Sequence, residues 1–370
     1  LLIMKGLFDD IAVDIFILVS MLIISFDPLV LSLFLALGEK QGLSPSEFVV
    51  DLQNDVLKEY VARGTYIFPI NASVRITSDV IGYCARHLPH WFPCTLCANH
   101  MNAAGAGSTK STAFAMANGI CYMNHMLRKG YTIDEIGPLF SMFLDDRSDF
   151  FTAICCFRAA RKVWAKLLRD KMGSQNPNSM ALKITAYSHG GETLLEPSNN
   201  IVRITLAAMA YVLGGVQYLY NASFDEVLGI PASESSKIAL RTQQILAHEL
   251  GITNTVDPLG GSYFIESLTA QIKKEILQEL QHIEDMGGAI TAIENGYYLD
   301  VISDGASRRQ TDYEAGEKVS IGVNKFRDSS ATIPFGAFQI NPNTEKEQIE
   351  RTANVRKNRN NHRVQEALDF

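Results

Sequence analysis

The residues best suited to chemistry in this chain are a histidine, an arginine, a glutamine and two carboxylate- or hydroxyl-bearing stretches, widely spaced along the sequence. His100 follows the run Thr95-Leu96-Cys97-Ala98 and precedes Ala104-Gly105-Ala106, so it stands at the end of an expected strand. Imidazole titrates near neutrality and can polarise or protonate a carbonyl oxygen. The plainer reading is a histidine hydrogen-bonded within a loop. Gln53 offers a neutral donor and acceptor, and Arg63 a planar fork that can hold a carboxylate through two hydrogen bonds. Arg63 could equally pair with Asp55 or Glu59 on the preceding segment. Cys94-x-x-Cys97 with His100 three residues on suggests a metal, but zinc takes four ligands and no second Cys or His pair stands nearby. On a strand, residues three apart point to opposite faces, so bystander thiols are expected and no metal site is assigned. Cys155-Cys156 reads as helix core. Gly214-Gly215 and Gly260-Gly261 lack the spacing of a dinucleotide loop and read as turns.

The elements that must position these residues follow a regular rhythm. Candidate strands centre on Thr95–Ala98, Phe140–Leu144, Met180–Thr185 and Val216–Tyr220, with Ile15–Ile24 an earlier one and Ile252–Val256 a weak sixth. Helical periodicity fills the gaps over Ser108–Arg128, Asp149–Lys171, Asn200–Leu213 and Glu234–Leu250. Strands separated by helices in this order make βαβ units and a parallel sheet, and the spacing suits a (β/α) barrel. A closed barrel of this kind needs eight strands, and fewer are found here. From Ile265 to Asp304 the pattern is helical, and Thr344–Phe370 is a polar, helix-compatible tail made basic by Arg351, Arg356, Lys357, Arg359 and Arg363. That tail reads as a solvated helix, with a docking segment for a partner domain the alternative. The expected organisation is a barrel segment over 1–264, a helical extension closing it over 265–343, and the tail over 344–370.

Composition narrows the class. With 47% hydrophobic and 20% charged residues, the 370-residue chain is ordinary for a globular protein. A net charge of −7 provides no bulk cationic field for nucleic acid. Six cysteines do not suggest a disulfide scaffold and point to a reducing compartment, cytoplasmic or, in a eukaryote, the mitochondrial matrix. Ile15–Phe26 is strongly apolar, but Asp14, Asp27 and Pro28 cut it below the length of a membrane span, and a buried strand followed by a core helix is expected. The opening Leu1-Leu2-Ile3-Met4 has no basic start or cleavage site of a signal peptide, and reads as a fragment or gene-model edge.

Several stretches together resemble one family. Leu52-Gln53-Asn54-Asp55, Leu57-Lys58-Glu59-Tyr60 and Arg63-Gly64-Thr65-Tyr66-Ile67-Phe68-Pro69 carry the resemblance most strongly. Arg241-Thr242-Gln243-Gln244, Asp257-Pro258-Leu259-Gly260-Gly261-Ser262-Tyr263, Met286-Gly287-Gly288-Ala289 and Asn324-Lys325-Phe326 add to it. The chain resembles, from about Met4 to Phe370, the large subunits of adenosylcobalamin-dependent acyl-CoA mutases. The resemblance implies a TIM-type (β/α) barrel lacking its N-terminal strands, with a C-terminal helical extension. It implies a radical rearrangement of an acyl-CoA, with adenosylcobalamin as cofactor and a hetero- or homo-oligomeric assembly. His100 then matches the residue that polarises the thioester carbonyl. Gln53 and Arg63 match positions holding the acyl end, Asn99 and Ser141 further substrate-side positions, and Glu226, Tyr187 and Gly190 cofactor-side positions. An arginine at position 63 favours a dicarboxylic acyl-CoA such as methylmalonyl-CoA.

The same matching shows departures. Asn99 stands where the family has a tyrosine, Ala103 where it has a glutamate, Leu139 where it has an arginine, Tyr187 where it has a glutamine and Ala222 where it has an asparagine that contacts ribose. The motif Asp-x-His-x-x-Gly that supplies the family's cobalt-ligating histidine surrounds none of the eight histidines. A separate cobalamin-binding domain or subunit is therefore expected as partner, without nucleic acid or membrane. The alternatives to an active mutase are a non-catalytic barrel-shaped partner subunit and a degenerate or partial mutase.

Overall fold

The computed structural model describes residues 19–21, 26–146, 149–190, 193–328 and 340–369. Among the described residues six strands, all parallel, pair in chain order: β1 (Val19–Met21) with β2 (Val50–Leu52), and β3 (Cys94–Cys97) through β4 (Phe140–Leu144) and β5 (Lys183–Ser188) to β6 (Tyr218–Asn221). Asp51 bridges Phe92 in parallel, with Leu52 N–H on Phe92 O at 2.8 Å, which joins β2 to the segment entering β3. β2, β3 and β4 are buried at every residue, as expected of parallel strands covered by helices on one side and by sheet side chains on the other. At the far edge the Tyr220 phenol on β6 comes near Ser20 on β1. No backbone ladder joins β6 to β1 among the described residues.

Helices lie between the strands. α1 (Asp27–Gln41) starts with Pro28 in its first turn, where no backbone donor is needed, and stops at Gly42 in the left-handed region (φ 77). Asp27 and Pro28 thus end the apolar run by starting a helix. α2 (Ile70–His87), α3 (Ser108–Arg128), α4 (Phe150–Lys166), α5 (Asn199–Leu213) and α6 (Ser233–Gln244) follow. Asp149 caps α4 by accepting from the Phe151 and Thr152 N–H groups. α7 (Tyr263–Asp285) packs across α3 and α4, and its Ile265, Ile272, Ile276, Leu280 and Ile283 complete the main core with Phe114, Met116, Ile154 and Phe157. α8 (Ala289–Glu294) leads to α9 (Tyr297–Glu314), which lies against residues 102–106 just beyond β3. There Gly105 (φ 143) and Gly305 meet backbone to backbone: a Cβ on Gly105 would stand 2.3 Å from Ile302 O.

Three expectations need correction. The strand read at Met180–Thr185 is Lys183–Ser188, because Asn176 caps a helical turn over Pro177–Met180. Ile252–Val256 is not a strand: it lies in turns, and Val256 is 94% exposed. The sixth strand is instead Val50–Leu52, too short for alternation to register in the sequence. Of the early strand Ile15–Ile24, Val19–Met21 is a strand and the rest lies outside the described residues. The tail forms α10 (Asn343–Asn358), which buries nothing, and α11 (Asn361–Leu368). No helix among the described residues is long and apolar enough to cross a membrane.

The inward layer of the sheet is polar. Asp51, 3% exposed, accepts from Ser20 Oγ at 3.0 Å, from Thr95 Oγ1, and from Ser141 Oγ at 3.5 Å, while the Thr95 and Ser141 hydroxyls lie 2.6 Å apart. Burial pushes the Asp51 carboxyl up against these three hydrogen bonds, which pull it down.

Candidate active site at the strand ends

His100 sits one turn beyond β3, in the short helix Ala98–Met101. Its Nδ1 lies 2.9 Å from Lys58 Nζ and its Nε2 2.9 Å from an Arg63 terminal nitrogen. Phe143, from the end of β4, presents its ring edge-on to the imidazole at 6.2 Å. Burial, then the charges of Lys58 and Arg63, lower the imidazole from 6.5 to about 2, so His100 is neutral across the physiological range. The parallel register makes this meeting possible. Residues 37 and 42 apart in sequence converge because β2 and β3 end side by side.

The turn after β2 is built to deliver Lys58 and Arg63. Asp55, fully buried, accepts from Cys97 N–H at 2.9 Å, from the Tyr122 hydroxyl at 2.8 Å and from the Asn118 amide at 3.2 Å. Tyr122 accepts in turn from Leu57 N–H at 3.0 Å. The backbone then makes one turn with i→i+3 bonds over Val56–Lys58 and a wider one over Glu59–Arg63, ending at Gly64 (φ 65). Widened turns of this kind recur at functional sites. Lys58 Nζ, wholly buried, also donates to Gln53 Oε1 at 2.8 Å and faces Glu59 Oε1 at 3.3 Å. Thr65 donates to Glu59 at 2.7 Å. Arg63 therefore pairs with neither Asp55 nor Glu59, both of which have other partners.

Two further buried groups beside this cluster lack partners among the described residues. Gln53, 2% exposed, has its Nε2 unpaired, and Asn99, 7% exposed, has its Oδ1 unpaired. An unmet buried donor or acceptor costs about 1–3 kcal/mol, so such groups are kept where something else satisfies them.

The remaining candidates lie elsewhere. Ser141 joins the Asp51 layer inside the sheet and does not reach His100; Phe143, two residues along the same face, does. At the ends of β5 and β6, the Tyr187 hydroxyl donates to Glu226, and Tyr187 packs edge-on to His189 at 5.4 Å. Gly190 (φ 133) brings its backbone onto α5, where a Cβ would stand 2.7 Å from Arg203 Cβ. Ala222 is buried, and the carbonyl of Ala103 accepts from Arg309 of α9 at 2.9 Å. Cys94 and Cys97 are free thiols; burial pushes Cys97 up to about 12 and raises Cys94 well above its ordinary value, which leaves both unreactive. The described residues contain no cluster of three or more His, Cys, Asp or Glu able to hold a metal.

Sequence reasoning missed Lys58 and Phe143 as parts of the site. Lys58 lies in one of the quoted motifs, but nothing in a sequence tells a buried lysine from a solvated one.

Parallel strands flanked by helices define an α/β protein, and its partly unsatisfied polar cluster is a candidate ligand site at the carboxyl ends, where such sheets usually carry one. The chain belongs to the methylmalonyl-CoA mutase family, whose model matches residues 2–370. It is 38% identical over 343 residues to the 2-hydroxyisobutanoyl-CoA mutase large subunit of Aquincola tertiaricarbonis, covering 92% of this chain and 61% of that one. It is 38% identical over 325 residues to the methylmalonyl-CoA mutase of Escherichia coli strain K12, covering 88% and 45%. It is 37% identical over 369 residues to that of Rhizobium meliloti strain 1021, covering 99% and 51%. The chain thus spans about half to three fifths of the length of these relatives.

Proposed function

We propose that the chain is the substrate-binding portion of an adenosylcobalamin-dependent acyl-CoA mutase, acting on a dicarboxylic acyl-CoA such as methylmalonyl-CoA to give the linear isomer. On this reading residues 1–264 belong to a TIM-type barrel, 265–343 to a helical extension that closes it, and 344–370 to a basic tail. The observation that carries the assignment is the cluster Gln53, Lys58, Arg63 and His100 at the ends of β2 and β3, with Gln53 Nε2 buried and unpaired.

The chain's own part is to bind, orient and exclude water. Arg63, exposed at the mouth, can grip a free carboxylate through two parallel bonds. His100, kept neutral, can donate one hydrogen bond to the thioester oxygen, where preorganised donors contribute most to rate. Gln53 can donate its unpaired amide hydrogen to the acyl end. Phe143 and the α9 clamp over residues 102–106 cover the site with apolar and backbone surface.

The described residues do not by themselves fit the cofactor. They hold no Asp-x-His-x-x-Gly sequence around a histidine, and the Glu226 carboxylate already accepts from Tyr187. Carbon–cobalt chemistry is accordingly assigned to a cobalamin-binding domain or subunit, and no step of it to these residues. The test is reconstitution of the chain with a cobalamin-binding protein of the family and adenosylcobalamin, followed by acyl-CoA isomerisation. Turnover of methylmalonyl-CoA is expected. None, with both proteins folded and bound to each other, would instead make the chain a non-catalytic barrel partner.

A further inference from the structure

His100 stands between two side chains that can only donate. Lysine and arginine carry N–H groups and no acceptor, whereas a neutral imidazole has one N–H and one lone pair. Only one of the two 2.9 Å contacts can therefore be a hydrogen bond, and the other sets donor against donor.

Burial decides which. Lys58 is fully buried; it donates to Gln53 Oε1 at 2.8 Å, lies 2.9 Å from His100 Nδ1 and is ion-paired with Glu59 Oε1 at 3.3 Å. Were Nδ1 protonated, one Lys58 hydrogen would be stranded without water, at about 1–3 kcal/mol. Arg63 is exposed and can turn its donor to solvent at little cost. The lone pair thus belongs to Nδ1 and faces Lys58, and the proton belongs to Nε2 and faces Arg63.

We propose that Lys58 is a positioning residue, which fixes His100 as the neutral Nε2–H tautomer and aims that hydrogen at an acceptor oxygen of the ligand, beside the Arg63 guanidinium. A ligand that offers one oxygen to Nε2 and another to Arg63 would replace the one repulsive contact of the site by two attractive ones. The groups around the ring leave no competing source for this effect. From the 56–63 turn come Lys58 and Arg63, with Glu59 held on Lys58. From β3 comes the Cys97 thiol, which meets Lys58, and from β4 the apolar ring of Phe143. No carboxylate among the described residues makes a hydrogen bond or ion pair with the imidazole. His100 then acts as a hydrogen-bond donor that keeps its proton and does not serve as a cationic acid.

The meaning of this assignment for turnover rests on the proposed function, but its test does not. The ring nitrogens of His100 can be followed by two-dimensional 15N–1H NMR on the 370-residue chain, with the signal assigned by its loss in His100→Gln. The wild-type ring should show the Nε2–H pattern alone, unchanged from pH 8 to pH 5.5. In Lys58→Met the Nδ1–H form should become populated, and the protonation midpoint should rise by at least about one pH unit, since a neighbouring charge of this kind shifts a group by about that much or more. An Nδ1–H pattern or a midpoint near 6.5 in the wild type would overturn the proposal, whether or not the variant folds. So would a Lys58→Met ring identical to wild type while the other histidine signals report an intact fold. Absence of mutase turnover would leave the tautomer result standing, which separates the two failures.

Discussion

Two regions at the carboxyl ends of the same sheet have fared differently. Beyond β2 and β3, Gln53, Lys58, Arg63 and His100 interlock, and the buried Gln53 amide keeps an unpaired hydrogen. Beyond β5 and β6, Tyr187 and Glu226 bond each other, Glu226 is exposed, and position 222 carries only a methyl group. The first region keeps a buried donor that its own fold does not use, whereas in the second Tyr187 and Glu226 engage each other and one Asp225 carboxylate oxygen stays unpaired. Buried polar groups are retained at a cost, so unmet capacity marks a place where a ligand completes the structure. Under the proposed function, this comparison assigns the acyl-CoA side to the first region.

The comparison can be broken most sharply by activity. In the complex with a cobalamin-binding protein, His100→Ala should lower turnover by about 100-fold or more, the usual loss when a preorganised donor to a carbonyl oxygen is removed. Glu226→Gln should cost far less. Comparable losses from the two variants would put both regions in the catalytic machinery.

Arg63→Gln should act on substrate choice. A charged hydrogen bond contributes about 1.5–3 kcal/mol, so kcat/KM for methylmalonyl-CoA should fall by about 10–100-fold while that for isobutyryl-CoA holds or improves. An unchanged ratio between the two substrates would confine Arg63 to its contact with His100.

The support beneath the first region can be weakened alone. Tyr122→Phe leaves Asp55 and Leu57 N–H each without one buried partner, and should destabilise the chain by about 1–3 kcal/mol in urea unfolding. A wild-type midpoint would mean that the turn carrying Lys58 is held by other bonds.

His100 also predicts a pH effect. Its folded-state value is lowered to about 2, so below about 6.5 the unfolded chain takes up a proton that the folded chain refuses. Stability should therefore fall as pH drops below about 6.5, by at most about 1.4 kcal/mol per unit from this residue. Urea unfolding of wild type and His100→Gln at pH 7.5, 6.5 and 5.5 isolates the contribution. Parallel pH dependences would show that the ring is protonated in the folded chain.

The smallest effect is expected in the second region. Tyr187→Phe frees an exposed carboxylate and should change stability by no more than about 0.5 kcal/mol. Its use lies in the partner complex, where adenosylcobalamin affinity should change if Glu226 takes up the ribose. A large stability loss would show that the pair is structural.

The sequence by itself determined the family, the parallel α/β class and the long helices. Periodicity and capping residues such as Asp149 act locally, and short strands alternating with helices leave few topologies open. It also marked His100, Arg63 and Gln53, because their motifs are contiguous or stand at strand ends. It did not determine that Val50–Leu52 is a strand, since three residues carry no alternation and are held by register with β1 and by the bridge to Phe92. Nor could it show that Arg63 meets His100 and leaves Asp55 and Glu59 to other partners. Those two acids lie within eight residues of Arg63, yet one is engaged by Cys97, Asn118 and Tyr122 and the other by Lys58 and Thr65. Lys58 is the plainest case: its charge was visible, but its complete burial against His100, 42 residues away, exists only when β2 and β3 end together, because only tertiary contact removes water from a side chain.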